Sequence, residues 1–284
     1  MRETITINKV EPQYSVVSGV AFAQVDSWFG HIVRDLKMDI IYPEDNAKSY
    51  PCIVWICGGA WLMMDRSVHL AYLSELARSG FVVASVEYRT TNEAIYPAQL
   101  TDVKAAIRYL KAHSKRYNID AERFGVMGES AGGYLTAMTA LVSDPAYDVG
   151  EYTGYSSRVQ AACPWYPPTD VSCFPYQSEA DAAAAPESLL LGKNAMVYKD
   201  EAIKICPVNY VTKDAPPFMI IHGTKDGTVP FEQGEMLHDK LEEAGCDVRL
   251  IAIDGADHAD IQFFQKETWQ RIINFFHDKL GFAK

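Results

Sequence analysis

The amino-acid sequence predicts an α/β fold in which helices cover both faces of a mostly parallel sheet. From Ile53 onward, short apolar runs alternate with amphipathic segments, which is the pattern of strands connected through helices. The chain has 284 residues, 48% of them hydrophobic, and is therefore long enough to bury one large core. These observations predict a single domain over residues 1–284.

The first third of the chain is predicted to begin the sheet. Three runs there have strand-like sequences, and they are expected to give the sheet an antiparallel start. These runs are Thr4 to Val10, Tyr14 to Ala23 and Ile32 to Tyr42.

The later segments are predicted in turn. A helix over Val68 to Ser79 ends at Gly80, and a strand over Phe81 to Val86 follows. Pro97 opens the next helix, whose apolar residues lie on one face and are therefore expected to cover the sheet. Those residues are Leu100, Val103, Ile107 and Leu110. Further strands are predicted at 53–56, 124–127, 159–163, 218–221 and 248–253.

The stretch between about Pro164 and Pro217 interrupts this alternation, because it is rich in Pro, Ala and acidic residues. A structureless loop of that length is uncommon in a compact domain. We therefore predict a small cap inserted at about 171–207, over the carboxyl edge of the sheet. Aromatic side chains could form a wall of the substrate pocket there, although packing in the core is their commoner fate. The candidates in this stretch are Trp165, Tyr166, Phe174 and Tyr176, and Trp61 is a further candidate because it borders the Gly-Gly loop after the strand candidate 53–56.

The run Gly128-Glu129-Ser130-Ala131-Gly132 predicts a nucleophilic serine. An apolar strand candidate precedes it and a helix-like segment follows, so the run forms a tight strand-to-helix turn. Gly128 and Gly132 stand where such a turn leaves little room for a Cβ atom. The turn holds the Ser130 hydroxyl away from its neighbours, and the positive end of the helix dipole points at the site.

An acid and a base candidate follow later strands. Asp226 comes just after the apolar run 218–221, and His258 follows the run 248–253. The order Ser130, Asp226, His258 is the order of the triad in α/β-hydrolases. Each of the three stands at the carboxyl end of a predicted strand, where open α/β sheets assemble their sites. Asp254 and Asp257 are rival candidates for the acid.

A Gly-Gly loop after the strand candidate 53–56 is predicted to bind the oxyanion. Acyl transfer needs hydrogen-bond donors aimed at the charge that develops on the carbonyl oxygen. Backbone N–H groups in such a loop can face a substrate without hindrance from side chains. The candidates for the oxyanion hole are the amides of Gly59, Ala60 and Ala131.

In these motifs the chain resembles α/β-hydrolases of the hormone-sensitive-lipase-like and acetyl-esterase group, and within it the carbohydrate esterases that include feruloyl and acetyl-xylan esterases. The resemblance extends from about Leu36 to the C-terminus. The chain departs from the group at Cys57, where a His usually precedes the Gly pair, and at Ala259, where Gly often follows the His. Because a thiol is a weak donor, any support that the usual imidazole gives the loop must come from elsewhere or be lost.

Together, the residues and the resemblance predict a serine carboxylic-ester hydrolase, a carboxylesterase, that works through an acyl-enzyme. The resemblance implies carbohydrate esters of acetyl, other short or phenolic acyl groups as substrates. An amidase or peptidase of the same fold, including an arylformamidase, would share all of these elements. A non-catalytic receptor of this fold is a further alternative, but such proteins typically lack one of the catalytic groups.

Composition disfavours several partners. A net charge of −11 argues against nucleic acid and anionic membrane surfaces, and no apolar run is long enough to span a bilayer. The first residues lack the apolar segment of a secretion signal, so a cytoplasmic location is expected. The six cysteines have no paired metal-ligand spacing. His222 and His258 could bind a metal with Asp226, but the serine machinery already explains their positions and no third imidazole has suitable spacing, so no metal or other cofactor is expected. The expected partner is a small-molecule or oligosaccharide ester, and a homo-oligomer is left open.

Overall fold

Eight strands form one sheet in the computed structural model, which describes residues 1–27 and 30–283. In chain order they are β1 (Tyr14–Ser27), β2 (Ile32–Pro43), β3 (Tyr50–Ile56), β4 (Val82–Val86), β5 (Ile119–Glu129), β6 (Ala161–Trp165), β7 (Phe218–Gly223) and β8 (Val248–Ile253). Their order across the sheet is β1-β2-β4-β3-β5-β6-β7-β8. β2 is antiparallel to both β1 and β4, and the other neighbours are parallel. The predicted mostly parallel sheet with an antiparallel start is confirmed.

Helices connect the parallel strands, and one more helix follows the last strand. They are α1 (Leu70–Arg78), α2 (Ala98–Ala112), α3 (Ala131–Leu141), α4 (Glu179–Ala184), α5 (Pro186–Leu191), α6 (Lys199–Ile203), α7 (Glu232–Glu243) and α8 (Lys266–Leu280). The two helices predicted near residues 68–79 and after Pro97 correspond to α1 and α2. Among the described residues, no helix combines the length and the apolar character that crossing a bilayer requires.

Alternate side chains of the central strands point to opposite faces of the sheet. In β3, Val54 and Ile56 belong to one core together with apolar residues of α2 and α3, including the predicted apolar face of α2. Ile53 and Trp55 belong to a second core with residues of α1 and α8. Because both faces are covered, the carboxyl ends of the parallel strands form the edge at which a site can open.

The strand predicted over Thr4 to Val10 is wrong. Residues 1–13 form no strand, and the side chains of Ile5, Ile7 and Val10 are exposed. The alternation of Thr and Ile favours an extended backbone, but a strand is stable only when a neighbour pairs with it. Within the described chain no strand lies alongside this segment, so the sheet begins at Tyr14.

Short helices occupy the irregular stretch between β6 and β7. α4, α5 and α6 all fall within residues 171–207, where an insertion was predicted. The hydroxyl of Tyr134 in α3 donates to the carbonyl of Ile205 at 2.8 Å, and the N–H of Tyr96 donates to the carbonyl of Leu190 at 2.9 Å. These bonds fasten the segment to the main body. That it caps the site stays a prediction.

Candidate active site

Ser130 occupies a tight turn between β5 and α3. Its φ of 53° and ψ of −121° lie in a region that residues other than glycine rarely adopt. Such strain at a strand-to-helix turn is typical of nucleophilic serines, because the turn presents the hydroxyl at the top of the sheet. The side chain of Ser130 is partly exposed there.

Glycines make this turn possible. A Cβ atom on either Gly128 or Gly132 would clash with the carbonyl oxygen of Ile56 in β3. The obstructing atom belongs to the backbone of a central strand and cannot move aside. β3, β5 and α3 can therefore approach this closely only with glycine at both positions.

The structure brings the three predicted triad residues together. Nε2 of His258 lies 3.0 Å from Oγ of Ser130, and Nδ1 of His258 lies 2.8 Å from Oδ2 of Asp226. These three residues come from the ends of β5, β7 and β8, at one edge of the sheet. With Nδ1–H donating to the carboxylate, Nε2 is left to accept the proton of the serine hydroxyl.

The carboxylate of Asp226 is buried and surrounded by donors. Its Oδ1 accepts the N–H groups of Thr228 at 2.9 Å and Val229 at 2.8 Å. Nε2 of His222 lies 3.0 Å from the carbonyl of Val229 and 3.4 Å from Oδ2 of Asp226, so its one proton faces two acceptors. Burial alone would raise the pKa of Asp226, but the hydrogen bonds from His222, His258 and Val229 hold that pKa well below its usual range. Asp226 is therefore a carboxylate in the folded protein.

The two rival acids do not contact the imidazole. Oδ1 of Asp257 accepts the N–H of Gly227 at 2.9 Å and the N–H of His258 at 2.7 Å, so this residue joins the two loops through their backbones. Oδ1 of Asp254 lies 3.4 Å from Oγ1 of Thr224. The geometry thus favours Asp226 as the partner of the base.

The loop after β3 passes directly beside the serine. A Cβ atom on Gly58 would lie only 3.1 Å from Cβ of Ser130. Gly59 and Ala60 both have positive φ, 121° and 55°, which turns their peptide groups out of the strand direction. Within the described ranges, no protein group accepts a hydrogen bond from their N–H groups, and the N–H of Ala131 lies in the first turn of α3, where helical acceptors are absent. All three predicted oxyanion-hole donors are thus available to a ligand.

Glu129, the residue before Ser130, is the centre of a buried hydrogen-bond network. Its Oε1 lies 2.8 Å from Nε2 of His69, and its Oε2 accepts the hydroxyl of Tyr166 at 2.7 Å. The N–H of Gly58 is a further donor to this carboxylate. Burial alone would raise the pKa of Glu129, but these hydrogen bonds hold the pKa below its usual value. The network joins the nucleophile turn to the oxyanion loop.

Sequence analysis did not identify Glu129 or His69 as site residues. Glu129 stands inside the serine motif, and a carboxylate there, between buried glycines, needs donors from elsewhere in the fold. This need for donors is the signal in the sequence that could have identified Glu129 as part of the site. His69 lies 60 residues away along the chain, just before α1, and nothing local marks it. An imidazole is thus present beside the oxyanion loop even though residue 57 is a cysteine.

Cys57 is buried against the same network. Its Sγ lies 3.7 Å from Oε1 of Glu129, and the N–H of Asp65 donates to the sulfur. Burial and the neighbouring Glu129 charge raise the pKa of the thiol to about 12. The hydroxyl of Tyr88 donates to the carbonyl of Cys57 at 2.9 Å and fixes the start of the loop.

The three aromatic residues that were predicted to contact substrate are all buried. The side chain of Trp165 is fully buried in the second core, where its ring packs edge-on against Trp55 with centroids 5.4 Å apart. Tyr166 is also fully buried, but its ring packs edge-on against His258, with centroids 4.6 Å apart. Trp61 is 1% exposed and packs edge-on against Tyr134. The ring of Tyr166 thus contacts a triad residue, whereas the rings of Trp61 and Trp165 pack against other aromatic side chains. Contact of these residues with substrate stays a prediction.

A cavity of 910 Å³ lies away from this site. It is lined by residues at the amino ends of β5, β6 and β7, which is the edge of the sheet opposite Ser130. Its wall includes the buried ammonium-bearing side chains of Lys104 and Lys111 together with Thr139. Its position shows that it does not take part in the chemistry of the serine.

Solved structures resemble this fold closely. A truncated carbohydrate esterase from gut microbiota superposes with a TM-score of 0.81 and 30% identity, over 95% of this chain and 99% of the other. A bifunctional GH43-CE protein of Bacteroides eggerthii gives a TM-score of 0.82 and 28% identity, over 94% of this chain and 35% of the other. Esterase 2 of Thermogutta terrifontis, at 24% identity and a TM-score of 0.73, shares the fold.

Sequence relatives and a family match agree with the structural likeness. Esterase LipC of Mycobacterium tuberculosis is 29% identical over 214 residues, which are 74% of this chain and 53% of LipC. The chain spans about half the length of the curated relatives that it matches. The BD-FAE family matches residues 38–241, the region that holds Ser130, Asp226 and the oxyanion loop. The chain therefore belongs to the BD-FAE family, and its fold is that of the α/β-hydrolase esterases.

Proposed function

We propose that this chain is a serine carboxylic-ester hydrolase that acts through an acyl-enzyme. One observation carries the proposal. The imidazole of His258 bridges the Ser130 hydroxyl and the Asp226 carboxylate at 3.0 Å and 2.8 Å, directly beside a loop whose amide donors are unoccupied. This is the arrangement that acyl transfer requires.

In the first half-reaction, His258 takes the proton of Ser130 while Oγ attacks the ester carbonyl carbon. Asp226 holds the imidazole in the required tautomer and stabilises its protonated form. The amides of Gly59, Ala60 and Ala131 donate to the oxyanion. When the tetrahedral intermediate collapses, the carbon–oxygen bond to the alcohol breaks, and the alcohol leaves with the proton from His258.

In the second half-reaction, water attacks the acyl-enzyme. His258 takes a proton from this water and then returns it to Oγ of Ser130 as the acid leaves. The same oxyanion donors serve both steps. The net reaction converts an ester and water into an acid and an alcohol, with no requirement for a further reactant.

We further propose carbohydrate esters of short or phenolic acyl groups as the substrates. Two structures that resemble this chain over more than nine-tenths of its length are named as a carbohydrate esterase and as a GH43-CE protein. The net charge of −11 favours a neutral saccharide ester over a polyanion. The cap predicted at 171–207 is the segment that we expect to contact the sugar. A cytoplasmic location stays a prediction.

Labelling and hydrolysis together test the ester-hydrolase proposal. We expect a fluorophosphonate probe to label the wild-type protein at Ser130, and p-nitrophenyl acetate to be hydrolysed. In Ser130→Ala the labelling should vanish and turnover should fall by a factor on the order of 10³ or more. A folded wild-type protein that neither reacts with the probe nor hydrolyses the ester would instead be a non-catalytic member of the fold.

A substrate panel tests the finer proposal. We expect p-nitrophenyl esters to be cleaved less well as the acyl chain lengthens, and acetylated xylo-oligosaccharides or methyl ferulate to be cleaved well. Each ester should be paired with the matching amide. Preference for the amide would replace the esterase assignment by an amidase or arylformamidase, and preference for long acyl chains would overturn the carbohydrate assignment.

A further inference from the structure

Three side chains of the types that bind transition metals converge behind the nucleophile. Sγ of Cys57, Nε2 of His69 and a carboxylate oxygen of Glu129 all lie within 4.8 Å of one another. Cys57 and Glu129 are buried, and His69 is partly exposed. Thiolate, imidazole and carboxylate are the three ligand types that zinc takes in proteins.

The spacing of these atoms is close to that of a tetrahedral site. An ion with bonds of about 2.0–2.3 Å holds its ligands roughly 3.3–3.7 Å apart. Sγ of Cys57 is 3.7 Å from Oε1 of Glu129, which already fits. Nε2 of His69 is 2.8 Å from the same oxygen, so an ion would need to part that pair by roughly half an ångström.

Each ligand is supported by a neighbour of the kind found around bound metals. The N–H of Asp65 donates to the sulfur of Cys57, a bond that stabilises a thiolate. The hydroxyl of Tyr166 donates to Oε2 of Glu129 and leaves Oε1 for an ion. The ring of His69 stacks on Phe264 with centroids 5.0 Å apart, which fixes the direction of Nε2. The three ligands come from separate segments, so the site exists only in the folded chain.

We propose that Cys57, His69 and Glu129 bind a thiophilic divalent metal ion such as Zn²⁺, with the fourth position open to water. Binding requires the Cys57 proton to leave for solvent and the imidazole of His69 to carry its proton on Nδ1, so that Nε2 is free to bind the ion. The partly exposed side of His69 gives the ion a path to the site. Glu129 adjoins Ser130, and Cys57 begins the oxyanion loop. A bound ion therefore holds the nucleophile turn and the oxyanion loop in the positions that the geometry of the ion requires. We expect it to inhibit hydrolysis. That expectation of inhibition, unlike binding, rests on the proposed function.

Cobalt spectroscopy tests binding without any assay of activity. Full-length Ser130→Ala protein is titrated with Co²⁺, and the expected result is an intense near-ultraviolet thiolate-to-cobalt charge-transfer band that added Zn²⁺ removes. The band should be lost in Cys57→Ser and in His69→Gln. It should persist in Cys173→Ser, which removes the exposed thiol. The other described cluster of ligand types, His238, Asp239 and Glu242, has no thiol and cannot give this band.

Each outcome decides the matter. Absence of the band in a folded protein, its survival in Cys57→Ser, or its loss only in Cys173→Ser would overturn the site. His69→Gln removes a partly exposed side chain, so it serves if Cys57→Ser fails to fold. Inhibition by Zn²⁺ is compared between Cys57→Ser and otherwise wild-type protein. The rate of ester hydrolysis with Zn²⁺, divided by the rate without Zn²⁺, should be at least tenfold lower in the otherwise wild-type protein than in Cys57→Ser. Equal inhibition of both would show that the inhibitory ion binds away from Cys57 and would overturn inhibition through this site, whereas absent hydrolysis with an intact cobalt band would count against the proposed function alone.

Discussion

The ring of Tyr166 packs edge-on against the imidazole of His258, with centroids 4.6 Å apart, while the hydroxyl of the same residue donates to Glu129 at 2.7 Å. One side chain thus contacts the base candidate and also closes the network behind the nucleophile. Burial keeps the phenol neutral, since it raises the pKa of Tyr166 far above its usual value. Tyr166 is therefore a hydrogen-bond donor at neutral pH.

Two substitutions at Tyr166 should separate these contacts. Tyr166→Phe removes the bond to a buried carboxylate and should lower the free energy of unfolding by about 2 kcal/mol, with kcat nearly preserved because the ring remains. Tyr166→Ala should lower kcat markedly, since His258 loses the surface that orients it. Urea unfolding and p-nitrophenyl acetate kinetics measure both effects. Equal kcat values for the two variants would show that the ring contact does not orient the base.

Parallel Asn substitutions should identify the acid. We expect Asp226→Asn to lower kcat roughly 10³- to 10⁴-fold, because the imidazole loses the acceptor that sets its tautomer. Asp254→Asn should leave kcat almost unchanged, since that side chain lies away from the imidazole. Circular dichroism checks that each variant is folded. A large loss in Asp254→Asn or Asp257→Asn, with activity kept in Asp226→Asn, would reassign the role.

The same carboxylate predicts a dependence of stability on acid. The folded-state pKa of Asp226 is lowered, so its contribution to stability is present above the unfolded pKa of about 4 and is lost as the pH falls below it. The free energy of unfolding of wild type minus that of Asp226→Asn should therefore shrink between about pH 5 and about pH 3. Urea unfolding at several pH values measures the difference. A difference that stays constant across this range would contradict the lowered pKa.

The close approach at the nucleophile turn predicts a severe effect of one methyl group. Gly132→Ala should destabilise the protein by about 3 kcal/mol, because the new Cβ clashes with the carbonyl of Ile56 and backbone must shift. Gly154→Ala is the matched control, since no atom lies within 4 Å of its Cβ position. That change should stay within about 0.5 kcal/mol. Thermal unfolding measures the stability of both variants. An unchanged stability of Gly132→Ala would show that the turn can accommodate a Cβ atom.

Lys111 predicts an effect of alkaline pH. Burial lowers the pKa of this ammonium to about 8, and its Nζ donates to the carbonyl of Arg158 at 2.8 Å. Between the folded pKa and the unfolded value of about 10.4, the unfolded chain binds more protons, so stability rises with pH. Wild type should gain up to about 3 kcal/mol relative to Lys111→Met as the pH rises from about 7 to about 10. Urea unfolding at both pH values decides it, and a constant difference would refute the prediction.

The sheet and the grouping of Ser130, Asp226 and His258 could be anticipated because their signals are local. Apolar runs mark the strands, and each of the three residues directly follows such a run. Once the parallel sheet is predicted, its geometry brings the carboxyl ends of β5, β7 and β8 to one edge. The turn at Ser130 could also be predicted from the sequence, because its close contacts require the glycines that flank the serine.

Features that depend on partners distant in sequence were not predicted. The bond between Glu129 and His69 joins residues that have no local relationship, and the full burial of Trp165 depends on rings contributed by β3 and α8. The strand predicted over Thr4 to Val10 is wrong because of a distant partner that is missing from the described chain. Its sequence favours a strand, but strand formation requires a neighbour that the described chain does not place beside it.

Asp257 couples the movements of two loops on one side of the site. One of its oxygens accepts the N–H of Gly227 and the N–H of His258, so the acid-bearing and base-bearing loops are tied into a single body. A displacement of one loop without the other would break the bond between Asp257 and Gly227. A movement that admits a bulky ester while keeping this bond is therefore expected on the side of the Gly58–Gly59 turn, which lies beside Ser130.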